Sequence, residues 1–236
     1  MEHEVISNPK DVTVIMARYK ELLALGRSQG FTPLIIVPNQ GIYKLIKANG
    51  FNTILQDIGD TNPKSLLQQR LESLPNGGHE YVELDNNDEE GEHYFVSVTD
   101  LHKILKNKKA KDNVDFVTGE GIQALSVIIL KIPTKKPWEV ATYMPRIGIE
   151  NLPNQQQQAA VFKYWYDTYG AIPAVMTYIS WELYLQQPIA NKELARQAAT
   201  EHIAFELASD SIDMLTHTFQ HATVWYIVAE LDSSKK

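Results

Sequence analysis

Apolar residues in the first third of the chain recur first with a helical period and then as a short continuous run. Positions 12–26 repeat apolar residues every three or four places, which predicts an amphipathic helix that ends near Gly26. The run at 32–38 is almost entirely apolar and has a proline near each end, so it predicts a fully buried strand. Capping residues followed by apolar repeats predict two further helices, at 39–50 and 62–74.

The middle of the chain changes to the alternating pattern of strands. Segments 79–84 and 93–100 alternate apolar and polar residues on either side of an acidic stretch, 85–92, which predicts a hairpin with a long tip. Segments 114–121 and 122–132 predict a second pair of strands that turns at the glycines between them.

The last hundred residues predict the order α-β-β-α-α-β, beginning with a helix at 154–169. The predicted fold class is therefore α+β, with an antiparallel or mixed sheet and helices packed on one face. A PTKKP linker at 133–137 separates an N-terminal α/β region, 1–132, from a C-terminal domain, 137–236. Apolar strands lie on both sides of the linker, so we expect the N-terminal half to pack against the C-terminal half in one compact unit.

Composition narrows the classes of function. The chain of 236 residues contains no cysteine, which excludes disulfides, thiolate metal sites and a cysteine nucleophile. Its formal net charge is −7, whereas nucleic-acid binding requires a basic surface. The first residues lack the pattern of a signal peptide, and no segment has the length and apolarity of a membrane span. We therefore expect a cytoplasmic protein that binds neither nucleic acid nor membrane.

The densest aromatic stretch, residues 159–185, predicts a core rather than a stacking surface. Phe162, Trp165 and Tyr169 recur on one helix face, as core residues do. A platform for nucleic-acid bases would also need interleaved basic residues, and this stretch offers only Lys163.

The segments KPWEVATYMPRIGIENLPN, AAVFKYWYDTYGAIPAVMT, LARQAATEHIAF and TVWYIVAELD form a combined pattern with specific spacing over residues 137–232. This pattern resembles the bacterial family of unknown function DUF4253. The matching positions are Trp138, Glu139, Gly148, Asn151, Pro153, Tyr164, Trp165, Tyr169, Gly170, Ala171, Glu201, Trp225 and Asp232.

The resemblance supports the predicted α+β fold but implies no established activity. Some small acidic bacterial families of this kind act as immunity proteins beside toxins, so the resemblance points toward a role of that type. Candidate ligand- or partner-binding residues among the matched positions are Trp138, Asn151, Trp165, Tyr169 and Trp225.

Two carboxylates at matched positions, Glu139 and Glu201, are candidate catalytic residues. If the fold brings them together among the aromatic side chains, they could act as a general acid and base. Alternatively, each accepts backbone hydrogen bonds or pairs with Arg146 or Arg196.

A candidate metal site is formed by Asp213, His217 and His221, which are spaced four residues apart. On one helix face, two histidines and a carboxylate can bind Zn²⁺, provided that the helix continues past Gln220. The favoured alternative is a polar face near a helix end, where a cationic histidine is stabilised by the helix dipole.

No cofactor is predicted. The segment that begins at Gly119 resembles a dinucleotide-binding turn, but the residues after it are too β-branched to form the required helix. The acidic segment 85–92 departs from the residue order of an EF-hand calcium loop.

The leading interpretation is a non-enzymatic protein-binding protein, of a toxin-immunity type, with a basic partner steered by the acidic surface. The alternative is a small-molecule-binding or hydrolytic enzyme that uses carboxylates and histidines of the C-terminal half. Whether the protein is an enzyme, and its oligomeric state, stay open at this point.

Overall fold

The computed structural model describes residues 2–7, 12–37, 61–74, 82–84, 94–96, 126–144, 152–177, 180–207 and 211–228. The strands are β1 (Glu2–Ser7), β2 (Thr32–Ile36), β3 (Val82–Leu84), β4 (Tyr94–Val96), β5 (Ser126–Ile132), β6 (Ile172–Met176), β7 (Ser180–Tyr184) and β8 (Val224–Val228). The α-helices are α1 (Val12–Gln29), α2 (Pro63–Ser73), α3 (Val140–Tyr143), α4 (Gln155–Tyr169), α5 (Lys192–Glu206) and α6 (Ile212–His221). A 3-10 turn at Pro137–Glu139 leads into α3.

Six strands form one mixed sheet in the order β1-β5-β2-β6-β7-β8. Neighbouring strands are antiparallel except for β2 and β6, which pair in parallel through Ile35–Val175 and Ile36–Met176. This parallel pairing joins strands from before and after the segment 133–137 in a single sheet. The predicted α+β class and the C-terminal order α-β-β-α-α-β are confirmed.

Strand β5 lies between the two N-terminal strands. It pairs antiparallel with β1, where Glu2 faces Lys131, and with β2, where Thr32 faces Ile132. The sequence predicted that this strand pairs with segment 114–121, which lies outside the described residues. In the structure β1 and β2 occupy both sides of β5, so its predicted pairing is replaced by two long-range ones. The predicted hairpin is present as the separate pair β3–β4.

Both faces of the sheet are covered. The side chains of Leu34 and Ile36 pack toward α2–α6, while those of Ile35 and Val37 pack toward α1. The helices of the C-terminal half thus lie on one face, and α1 covers the opposite one. Because successive side chains of a strand point to opposite faces, a strand that is buried along its whole length requires cover on both sides.

Helix α1 ends three residues later than the sequence predicted. Gly26 lies inside the last turn, where its carbonyl accepts hydrogen bonds from the amides of Gly30 and Phe31. A Cβ atom at Gly26 would lie 2.2 Å from the Phe31 carbonyl oxygen, so a larger residue does not fit there. The left-handed residue that ends the helix is Gly30, with φ of 85°.

Predicted capping residues fix the ends of the helices around the site. Asn62 caps α2, Asn154 forms a capping box with Gln157 at the start of α4, and Gly170 ends α4 with φ of 76°. The predicted helix at 39–50 and the acidic hairpin tip at 85–92 lie outside the described residues. Among the helices that the structure describes, none is long and apolar enough to cross a membrane.

Candidate functional site

The side chain of Glu201 lies at the centre of a hydrogen-bonded cluster between α4 and α5. The Tyr164 hydroxyl donates to Oε1 of Glu201 at 2.8 Å. The Trp165 indole and the Tyr169 hydroxyl donate to Oε2 at 3.0 and 2.9 Å. Three neutral side chains of one helix therefore hold a carboxylate of the next.

Gln197 completes this cluster from the same helix as Glu201. Its Nε2 atom donates to Oε1 of Glu201 at 2.9 Å and to the Tyr164 hydroxyl at 2.8 Å. A carboxylate has about four lone-pair sites, so the four donors occupy its accepting capacity. The negative charge is thus held by neutral dipoles, and no ion pair to Glu201 occurs in the described part of the chain.

Helical spacing explains why these side chains meet. Trp165 and Tyr169 are four residues apart on α4, and Gln197 and Glu201 are four apart on α5, so each pair shares a helix face. Trp165 is fully buried, and its ring lies 5.9 Å from that of Trp225, with an edge-on geometry. The aromatic core therefore fixes the position of the donors that hold Glu201.

Both tyrosines stay neutral over the physiological pH range. Burial, with a further contribution from the Glu201 carboxylate, raises the pKa of Tyr164 to about 12. The same two causes raise the pKa of Tyr169 well above its ordinary value. Each hydroxyl is therefore held as a hydrogen-bond donor to the carboxylate.

A groove of about 310 Å³ opens beside this cluster, between α2, α4 and α5. Its lining combines apolar side chains with polar ones, among them Tyr164 and Glu201. Across Tyr164, the ammonium of Lys64 lies 5.3 Å from the ring centroid. The lining residues are Lys64, Leu67, Gln68, Leu71, Tyr164, Gln197, Thr200, Glu201 and Ala204.

Arg70 fixes the wall of the groove that α2 provides. Its guanidinium donates to the carbonyl oxygens of Ala204 and Phe205, at 2.9 and 2.8 Å. These carbonyls belong to the last turn of α5, where a cation is favoured by the helix dipole. The N-terminal half of the chain thus contributes one side of the groove.

Glu139, the second catalytic candidate, lies in a different environment. Its carboxylate accepts a hydrogen bond from Thr134 at 2.6 Å and pairs with the Lys136 ammonium at 3.0 Å. It is not among the residues that line the groove. The structure therefore does not assemble Glu139 and Glu201 into an acid–base pair within the groove.

The other candidate partner-binding residues lie in different surroundings. Trp138 packs against Tyr166, with ring centroids 5.1 Å apart, and the Lys163 ammonium lies 5.4 Å from its ring. Trp225 is buried in the core against Trp165. Asn151 lies outside the described residues. Of the predicted set, Trp165 and Tyr169 contact Glu201 directly.

On α6, the predicted metal ligands are only partly brought together. The helix reaches His221, and the rings of His217 and His221 lie 4.4 Å apart. Asp213 instead pairs with Arg196 at 2.5 Å. Burial and the neighbouring His221 lower the pKa of His217. Among the described residues, no three histidine, aspartate or glutamate side chains are grouped so that they could hold a metal ion.

Two residues of the site were missed at the level of sequence. Gln197 lies four residues before Glu201, and a search for polar pairs at this spacing would have found it. Lys64 lies on α2, a hundred positions from Tyr164, so no local pattern in the sequence connects them.

Comparison with known families agrees with this half of the molecule. Residues 128–229 match the family described as Domain of unknown function (DUF4253). The match confirms the resemblance predicted from the sequence and covers the helices that carry Tyr164, Trp165, Tyr169 and Glu201. Searches of curated proteins and of solved structures gave no match. The DUF4253 segment supplies the carboxylate cluster, and α2, which precedes that segment, supplies Lys64.

Proposed function

We propose that this protein is a non-enzymatic, cytoplasmic protein-binding protein whose partner docks in the groove beside Glu201. The observation that carries the proposal is the state of the Glu201 carboxylate, whose accepting sites are taken up by four neutral donors. A carboxylate in this state contributes a fixed negative charge and a rigid shape to a binding surface.

The same observation weighs against the enzymatic alternative. A general base needs a free lone pair within reach of the proton that it removes, and the lone pairs of Glu201 are engaged. Glu139 is paired with Lys136 and does not line the groove. These contacts support a binding role over proton transfer by either carboxylate.

Charge favours a basic partner. The chain carries a net charge of −7, and Glu201, which lines the groove, forms no ion pair within the described residues. Long-range attraction of this kind mainly raises the rate of association and is weakened by salt. A basic toxin neutralised by this protein would be one such partner, in keeping with an immunity-type role.

The test compares two variants on α2 as baits in a pull-down. Gln68 lines the groove, whereas the adjacent Gln69 is exposed and does not. Gln68→Trp should abolish capture of a partner by filling the groove, and Gln69→Trp should leave capture unchanged. Capture by the wild type should fall strongly at high salt.

Thermal unfolding of both variants serves as the control for folding. A partner captured equally by the two tryptophan variants would remove the groove from the proposed function. The enzymatic alternative would gain support if the isolated protein turned over a substrate in a hydrolase screen and Glu201→Gln abolished that activity.

A further inference from the structure

The contact between Lys64 and Tyr164 suggests what the groove recognises. Lys64 is exposed, and its ammonium lies 5.3 Å from the centroid of the Tyr164 ring. A cation in that position is attracted by the negative face of the aromatic ring. The groove therefore contains a surface that accepts a cation and already holds one from this chain.

The face of Tyr164 is better suited to a cation than that of an isolated tyrosine. Its hydroxyl donates to the Glu201 carboxylate at 2.8 Å, and it also accepts from Gln197. Hydrogen-bonded groups in such a chain polarise one another, so the negative carboxylate pushes electron density toward the ring. Glu201 thus increases the attraction of the Tyr164 ring for a cation through the hydroxyl, without contacting the cation itself.

Lys64 itself is held weakly. It is the second residue of α2, directly after Pro63, and a positive charge in the first turn is disfavoured by the helix dipole. Within the described residues, no carboxylate forms an ion pair with its ammonium. An exposed cation–π contact is worth little, so a competing cation can displace Lys64.

The rest of the groove fits a long cationic side chain. Leu67, Leu71 and Ala204 supply apolar lining along which an aliphatic stem can lie. Of the polar lining residues, Gln68 donates to Glu72 and Thr200 donates to the Arg196 carbonyl. An acidic side chain entering here would meet the negative charge of Glu201.

We propose that the groove receives a lysine or arginine side chain of a protein partner on the face of Tyr164, and that Lys64 is a tethered competitor that this side chain displaces. This inference rests on the proposed function, since it names the group by which the partner is recognised.

The experiment titrates the full chain with capped pentapeptides of alanine that carry lysine, arginine, norleucine or glutamate at the centre, followed by NMR. The lysine and arginine peptides should shift resonances of groove residues, and the other two should not. Lys64→Ala should raise the affinity for the lysine peptide by about twofold to fivefold, because the competitor is removed.

Lys163→Ala is the matched control. Lys163 lies over the ring of Trp138 at 5.4 Å and also pairs with Asp167, so its removal deletes the same charge and the same type of ring contact outside the groove. At about 0.15 M salt, where the Debye length is about 8 Å, this variant should bind the peptide as the wild type does. An equal gain in both variants would reduce the effect to net charge and overturn the proposal.

A second pair of variants tests the ring. Tyr164→Phe keeps the aromatic face but removes the hydroxyl that donates to Glu201, so it should bind the lysine peptide more weakly than the wild type, whereas Tyr164→Leu should lose binding. Weaker binding in Lys64→Ala, or no binding of the lysine peptide to any variant, would also overturn the proposal. If Gln68→Trp still abolishes capture of the partner, the docking function stands while the cation assignment fails. If the Gln68→Trp variant captures the partner as well as the wild type does, the proposed docking function fails too.

Discussion

Two carboxylates at matched positions of the DUF4253 segment, Glu201 and Glu139, are held in opposite ways. Glu201 is surrounded by neutral donors from an aromatic cluster, whereas Glu139 has one hydroxyl donor and an exposed lysine. The first arrangement depends on a buried framework that cannot move without loss of several hydrogen bonds. The second combines the buried Thr134 hydroxyl with the exposed Lys136 ammonium. Glu201 therefore ties two helices together through the aromatic core, and Glu139 stabilises a local turn.

The largest expected difference between Glu201 and Glu139 is in how much each contributes to the free energy of unfolding. Glu201→Ala leaves the buried Trp165 indole and the Tyr169 hydroxyl without an acceptor, which should lower the free energy of unfolding by about 3 kcal/mol. Glu139→Ala should cost about 1 kcal/mol, because Lys136 can return to solvent. Urea unfolding of both variants measures this difference. Similar losses would mean that the two environments are energetically equivalent.

Alkaline pH should destabilise the Glu201 cluster through Tyr164. The pKa of Tyr164 is about 12 in the folded protein, above the ordinary value of 10.0. The folded state therefore keeps its proton where the unfolded state loses it, so stability is fully present below pH 10 and falls as pH rises toward 12. Discounted for solvent screening of the partly exposed hydroxyl, we expect a loss of about 1 kcal/mol.

Tyr164→Phe isolates that contribution. Urea unfolding between pH 9 and pH 12 should show a shallower fall in stability for the variant than for the wild type. Parallel curves for the two proteins would show that Tyr164 titrates alike in the folded and unfolded states.

The smallest expected effect is a difference in how salt changes the stability cost of mutations around Glu139 and around Glu201. Lys136→Ala should cost about 0.5 kcal/mol at low ionic strength and nothing at about 1 M salt, since an exposed ion pair is screened. Tyr169→Phe removes a neutral donor to Glu201, and its cost should be the same at both salt concentrations. The measurement is urea unfolding of the variants and wild type at each salt concentration. A cost for Lys136→Ala that persists at high salt would contradict this distinction.

The sequence predicted the local parts of this site and missed how they are assembled. The cap at Asn154, the stop at Gly170 and the inward face of α4 follow from short-range rules that act within one helix. Glu201 was selected because it lies at a matched position of the family pattern. Its role as an acceptor for Trp165 and Tyr169 depends on the packing of two helices, which periodicity does not specify.

Long-range pairing explains the remaining differences. The position of β5 between β1 and β2, and the approach of Lys64 to Tyr164, each join segments about a hundred residues apart or more. No local propensity encodes such a neighbour. The placement of α1 was also missed. A strand that is buried on both faces needs cover on each face, but its sequence does not specify which helix provides that cover.

The position of β5 in the sequence also determines when β1 can pair during synthesis on the ribosome. Among the described strands, β1 pairs only with β5, and Glu2 meets Lys131 across a separation of 129 residues. At about 5–20 residues per second, roughly 6 to 26 seconds separate the synthesis of the two strands on the ribosome. Throughout that interval β1 lacks its partner strand, so the edge that it will present to β5 stays unpaired until β5 has been synthesised.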